Sequence, residues 1–159
     1  MMRRLRRTRS VLAGPADLWL ALRMAGWLPL LPLLKYALPL PRLARLMSAA
    51  GSGPRQPERE RRIVILGHWL YKFGTLGRYD CCLERSLVTY RYLCRANAAP
   101  ELVVGFRKEG GRTLGHVWVL LDGEPVHDSP AELGEYVPLA VFGPAGAVAS
   151  SPSAQLPER

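Results

Sequence analysis

Cysteine, histidine and aspartate side chains in this sequence could together carry out nucleophilic chemistry. The adjacent residues Cys81 and Cys82 precede a segment whose apolar residues recur at helical spacing, so both lie in the first turn of a predicted helix. A cysteine attacks as its thiolate, which the N-terminal end of a helix favours, and the same turn offers N–H groups that can bind an oxyanion. The residues alone leave Cys81 and Cys82 tied as the nucleophile.

His116 is the candidate base for this nucleophile. It lies in the middle of an alternating segment, residues 113–121, that is typical of a β-strand. Gly115 before it would let the backbone or a substrate come close, and Trp118 shares its strand face and could shield the histidine from water. A base of this kind needs a partner that orients it, and Asp128, at the end of the next strand candidate (residues 124–128), is suitable.

The contact between His116 and Asp128 depends on the register of the hairpin that joins the two strands. A two-residue loop formed by Asp122 and Gly123 would place Asp128 on the sheet face opposite His116. A three-residue loop with Gly123 in the left-handed conformation would place the two side chains directly across from each other, within hydrogen-bonding reach. We therefore predict the three-residue loop or another register that places His116 and Asp128 on the same face of the sheet.

Four residues near these candidates have less specific roles. Asp80 is predicted to be the N-cap of the helix, which should extend to about residue 97. Arg85, one turn along that helix, could pair with a carboxylate, and Ser86 could allow close packing. Strand alternation predicts that His127 faces away from Cys82, at the surface or behind the site.

The order of elements after residue 62 predicts an α+β domain. The helix that begins near Cys82 is followed by a β-rich segment at 102–106, a turn at 109–111 and the two strands described above. We therefore expect a core in which one helix presents the cysteine to a small antiparallel sheet.

The rest of the chain reads as attached segments. Two short helices, about 15–28 and 33–48, are predicted on either side of a kink at the prolines of residues 29–32. A stretch rich in glycine, serine and proline follows, and the end of the chain is small and polar. The resulting division is an N-terminal helical segment (1–50), a linker (51–61), a core (62–142) and a disordered tail (143–159).

Charge and composition limit the classes of function. Residues 1–62 hold 13 Lys and Arg against 3 Asp and Glu, a net +10, whereas residues 63–159 hold 9 against 10, a net −1. A nucleic-acid-binding domain is therefore not expected, although the basic front could contact a membrane surface. The longest charge-free apolar run, residues 24–34, is too short to span a bilayer.

The three cysteines of the chain predict its compartment and its lack of cofactors. Their number and spacing, with two adjacent and one distant, do not form a disulfide framework, which predicts a reducing, cytoplasmic setting. No pair of Cys or His residues has the spacing of a zinc site, and we expect no metal or other cofactor.

Three stretches of the sequence resemble the leader peptidases of lasso-peptide maturation, a family of transglutaminase-like cysteine proteases. Residues 82–87 read Cys-Leu-Glu-Arg-Ser-Leu, residues 116–119 read His-Val-Trp-Val, and residues 123–130 read Gly-Glu-Pro-Val-His-Asp-Ser-Pro. The resemblance covers about residues 62–140. Val117 stands where the family usually has alanine, which is a mild departure.

The resemblance implies a papain-like or transglutaminase-like core and carries further expectations. It implies that Cys82 rather than Cys81 is the nucleophile and that His116 and Asp128 complete a catalytic triad. It implies that the substrate is a ribosomally made precursor peptide, whose leader is removed so that a lasso cyclase can close the freed core. Because the first 62 residues do not read as a leader-binding module, a separate recognition protein is also expected.

Overall fold

The computed structural model describes residues 14–74 and 81–149 of the 159-residue chain. Its helices, in chain order, are α1 (Pro15–Ala25), α2 (Leu30–Ala37), α3 (Leu40–Met47), α4 (Pro57–Gly74), α5 (Cys82–Arg95) and α6 (Pro130–Leu133). Its strands are β1 (Glu101–Glu109), β2 (Arg112–Leu121), β3 (Glu124–Pro125), β4 (Val137–Phe142) and β5 (Val148–Ala149). The α+β expectation is confirmed.

The N-terminal segment forms three helices where the sequence predicted two. The second predicted helix, 33–48, is interrupted at Leu38, which is extended (φ −123°, ψ 135°). Pro39 follows it, and a residue before proline is disfavoured in the helical region because of a clash with the proline ring. Pro41 then lies in the first turn of α3, where proline is tolerated because its missing N–H would have no helical partner.

Residues 15–37 are helical apart from a turn at 26–29 and, by length and composition alone, are long and apolar enough to cross a membrane. Counting only the charge-free run did not predict this. Two side chains of the stretch, Met24 and Leu31, are nevertheless fully buried against the protein. Lys35 also reaches across to α5, where its Nζ lies 2.6 Å from Glu84 Oε1.

Two of the predicted boundaries differ from the structure. Helix α4 begins at Pro57, inside the predicted linker 51–61, because a proline at the first helical position followed by Glu58 and Glu60 is a favourable helix start. The beginning of the predicted disordered tail is ordered. Residues Pro144–Gly146 form a 3₁₀ turn, and β5 pairs with β4. The remainder of that tail, 150–159, lies outside the described residues.

The five strands form one antiparallel sheet in the order β3-β2-β1-β4-β5. Helix α5 packs on β2 and β1, and α4 packs on α5. The face of the sheet that meets the helices contributes Leu102, Val117 and Val119 to the core, each at most 8% exposed. Burial of an aliphatic side chain of this kind contributes roughly 1.5–3 kcal/mol. This packing fixes α5 against the strand that carries His116.

Candidate active site

The start of helix α5 positions the two adjacent cysteines. Cys82 is the first residue of the helix and Cys81 occupies the cap position, with no side-chain cap hydrogen bond. Both cysteines are half-buried and outside any disulfide. The predicted N-cap, Asp80, lies outside the described residues. The first N–H groups of a helix have no partner within it, so Cys82 lies where an anion can be bound.

His116 lies on β2 opposite Gly105 of β1 and is packed among aromatic rings. Its ring stacks on Trp118, with centroids 6.0 Å apart, and lies 5.1 Å from the ring of Tyr136. Trp118 is 5% exposed, so it covers one side of the imidazole as the alternation of the strand predicted. Gly105 provides the room, since a Cβ there would come within 2.8 Å of the Trp118 ring.

The predicted hairpin register is wrong. Leu121 pairs with Glu124 across a two-residue loop, and Asp122 and Gly123 both have positive φ (54° and 81°), as a type I′ turn requires. Strand β3, however, ends at Pro125, and the chain leaves the ladder after one further hydrogen bond, from the Val126 N–H to the Val119 carbonyl. Asp128 lies beyond the strand, so strand alternation does not decide on which sheet face it lies. Its Oδ1 is 3.4 Å from His116 Nε2.

Two local anchors hold the segment that carries Asp128. On one side, Thr89 Oγ1 of α5 lies 3.0 Å from His127 Nε2. On the other side, Ser129 and Glu132 form a capping box at the start of α6. The sequence contains both halves of this box, Ser129-Pro130-Ala131-Glu132, a pattern that indicates a helix start and hence an early end to the strand.

His127 does not lie at the surface, although it does lie behind the site. Burial lowers the pKa of its imidazole to about 4, with smaller contributions from neighbouring charges such as Arg85. Strand alternation was the wrong rule for this residue because the chain is no longer a strand there. The sequence holds no direct signal for its contact with Thr89.

Arg85 binds the same carboxylate as His116. Its Nη2 lies 2.9 Å from Asp128 Oδ1 and 3.2 Å from Oδ2, and both side chains are mostly buried. This is the carboxylate partner that the sequence suggested for Arg85. The adjacent Ser86 donates from Oγ to the carbonyl of Val117, at 2.8 Å, and so ties α5 to strand β2.

The electrostatics of the site favour a charged histidine. The hydrogen bond with Asp128 is the largest contribution and the hydrogen bond with Cys82 the next; together they raise the pKa of His116 to about 9 against the effect of burial. Burial also raises the pKa of Asp128, but His116 and Arg85 outweigh it and hold that pKa below its usual value. His116 is therefore an imidazolium at neutral pH.

The structure brings Cys82, His116 and Asp128 together at one place. Of the two adjacent cysteines, Cys82 is the one that raises the pKa of His116, and Cys82, His116 and Asp128 line one cleft. The arrangement pairs a thiol at a helix start with a histidine, and that histidine with a carboxylate. This is the geometry of an activated nucleophile.

Two clefts meet at this cluster. One, of about 350 Å³, is lined by both cysteines together with the basic or polar residues His68, Tyr71, Lys72 and Arg85. The other, of about 500 Å³, lies on the far side of His116 and Asp128 and is lined by α6 and the aromatic ring of Tyr136. A substrate can thus reach the histidine from either side.

The family model of the transglutaminase-like superfamily matches residues 27–141 of this chain. The match covers most of the chain, from the turn after α1 to the end of β4, and the protein belongs to this superfamily. It begins within the segment that the sequence had set apart from the core. No curated protein and no solved structure matches the chain.

Proposed function

We propose that this protein is a cysteine peptidase that removes the leader from a lasso-type precursor peptide, with Cys82, His116 and Asp128 as its catalytic triad. The observation that carries the proposal is that Cys82, His116 and Asp128 line one cleft, in which His116 Nε2 lies 3.4 Å from Asp128 Oδ1. Membership of the superfamily supports a cysteine-based acyl-transfer chemistry. The resemblance of residues 82–87, 116–119 and 123–130 to lasso-peptide leader peptidases supports the substrate class.

In the first half of the reaction, the Cys82 sulfur attacks the carbonyl carbon of the scissile amide. The oxyanion that forms is held by N–H groups of the first turn of α5. The His116 imidazolium donates its proton to the leaving amine, so the C–N bond breaks and the freed core peptide departs with a new amino terminus. The leader remains attached to Cys82 as a thioester.

In the second half, His116 is neutral and acts as a base. It takes a proton from a water molecule, which attacks the thioester carbonyl, and the sulfur leaves as thiolate. Asp128 holds the ring in orientation throughout and stabilises its charged form. Arg85 binds the same carboxylate and keeps it in place.

The proposal is tested by incubating the protein with a candidate precursor peptide and its recognition protein and measuring the product masses by mass spectrometry. We expect two fragments whose masses sum to that of the precursor plus one water. A product with a new amide instead of a free carboxylate would show acyl transfer and overturn the hydrolysis. If Cys81→Ala lost cleavage and Cys82→Ala retained it, the assignment of the nucleophile would be wrong.

The proposal also includes a separate protein that binds the leader and a cyclase that takes up the core. The first 62 residues support this division because they form helices rather than a β-rich peptide-binding module in their described part. A pull-down with leader peptide alone should recover little of the chain, and addition of the recognition protein should recover it. Strong recovery by the leader alone would contradict a separate recognition protein.

A further inference from the structure

Strand β2 presents an exposed edge next to His116. Strand β3 pairs with Leu120 and Leu121, at the far end of β2, and Val126 just after it bonds to Val119. From Arg112 to Gly115 every residue of β2 is exposed. Within the described residues, no strand pairs with the beginning of β2 on that side.

The pairing of β2 shows which of its backbone groups point outward. The Val126 N–H donates to the Val119 carbonyl, on the β3 side, at 3.0 Å. Because hydrogen-bonded groups alternate along an antiparallel strand, Val117, Gly115 and Thr113 also direct their N–H and C=O groups to that edge. The Val117 carbonyl is bound by Ser86. No hydrogen bond within the described ranges reaches the outward groups of Gly115 and Thr113.

The sheet face at Gly115 is open. A Cβ added to Gly115 would point out of the sheet and meet nothing within 4 Å, and residues 112–115 are exposed. The edge also leads to the nucleophile, since Ser86, which binds the next outward carbonyl, lies one helical turn after Cys82. A chain paired with Thr113 and Gly115 would therefore run directly to the thiol and His116.

We propose that this edge, Thr113 and Gly115 of β2, binds an extended segment of the substrate peptide as an added strand. The inference rests on the proposed peptidase function and names how that site holds its substrate. Strand addition gives affinity through main-chain hydrogen bonds. It would hold the scissile carbonyl beside Cys82 with little dependence on side chains at the paired positions.

A peptide fits this edge better than a second copy of the chain. Only two residues offer outward groups, which is short for pairing between folded sheets. Arg112 at the start of β2 and Lys108 on the neighbouring strand β1 are exposed, and like charges on two approaching copies repel each other. A peptide strand carries no second copy of these two basic residues, so it does not meet this repulsion.

The first test replaces Thr113 with proline, which removes an outward N–H and fills the edge with a ring while leaving the ladder to β1 intact. Proline is tolerated at such edge positions. Val148→Pro is the matched control: Val148 lies on β5, the other edge of the sheet, and the Gly143-to-Ala147 hydrogen bond shows that its N–H also points outward. We expect Thr113→Pro to raise KM at least about tenfold, and Val148→Pro to leave KM unchanged. Iodoacetamide should still alkylate Cys82 at the wild-type rate in both.

The second test uses the precursor and does not depend on a protein variant. Methylation of successive backbone nitrogens on one side of the cleavage site should weaken cleavage at every second position, because a strand bonds through alternate residues. A loss that is equal at all positions, or a wild-type KM for Thr113→Pro, overturns strand addition while leaving the peptidase function standing. Failure of the wild type to release any leader overturns both. A dimer in size-exclusion chromatography that Thr113→Pro dissociates would assign the edge to a second copy and overturn the proposal.

Discussion

Helix α5 carries a cysteine at each end, and the two have opposite surroundings. Cys82 at the start is half-buried and lines one cleft together with His116. Cys94 in the last turn is 4% exposed, and burial, opposed by weaker hydrogen bonds, raises the pKa of its thiol to about 11. Both side chains belong to one helix of 14 residues. Position along the helix, more than residue type, therefore decides which sulfur can do chemistry.

The largest expected difference between the two ends is in peptide cleavage. Cys82→Ala should lower kcat by about a thousandfold or more, since the proposed thioester forms on the Cys82 sulfur. Cys94→Ala should keep the wild-type kcat and lose about 1 kcal/mol of unfolding free energy, because only a small buried side chain is lost. Cleavage rates and urea unfolding of both variants measure this. Equal loss of activity in the two variants would contradict the claim that only the cysteine at the start of α5 takes part in cleavage.

The next prediction removes the orientation of the histidine at the reactive end. Asp128→Asn should lower kcat by about a thousandfold, as loss of the orienting carboxylate does in other triads. The pKa of His116 should fall as well, because the bond to Asp128 is the largest cause of its rise. Asp122→Asn is the control: this exposed carboxylate pairs with Arg55 in the hairpin turn, and its loss should leave kcat unchanged. NMR titration of the histidine and cleavage rates report the two effects.

A smaller effect is expected in simple alkylation, which needs no peptide. At pH 7, iodoacetamide should modify Cys82 about a hundredfold faster than Cys94, since reaction requires access and thiolate character. Peptide mapping by mass spectrometry at timed intervals gives both rates in one sample. Comparable rates for the two thiols would mean that the last turn of α5 opens readily in solution.

The last prediction concerns the dependence of stability on pH. The pKa of His116 is about 9 in the folded protein and about 6.5 for a free histidine, so folding favours the imidazolium. This contribution to the unfolding free energy is complete below pH 6.5 and is lost as pH rises to 9. Urea unfolding at several pH values should show the decline in the wild type and a flatter curve in His116→Gln. If the wild type and His116→Gln lost stability in parallel as pH rose, His116 would not be the charged group that stabilises the fold.

Patterns that depend on local chemistry were the ones the sequence could predict. The α+β class, the helix after Cys82 and strand β2 followed from apolar periodicity and from turn residues. The pairing of Arg85 with a carboxylate and the stacking of Trp118 on His116 followed from their places on those elements.

The predicted contact of Asp128 with His116 depended on a hairpin register that the structure does not have. The predicted three-residue loop was needed only if strand β3 continued to Asp128, and the strand ends at Pro125 instead. Contacts with a distant element, such as Thr89 with His127, decide where the segment goes, and no periodicity within the segment encodes them. The division of the chain failed in part for the same reason, since residues 144–146 are ordered by packing against α3.

That last contact has a consequence for how the protein is made. Gly146 lies so close to Arg45 that a Cβ on it would approach the Arg45 Cα to 2.6 Å, and the buried Tyr90 hydroxyl donates to the Gly143 carbonyl at 2.6 Å. Helix α3 therefore completes its packing only with residues about a hundred positions later in the chain. During translation the apolar face of α3 must wait for those residues to leave the ribosome, and contacts so distant in sequence form slowly. A nascent chain halted before residue 143 should be a target for chaperones.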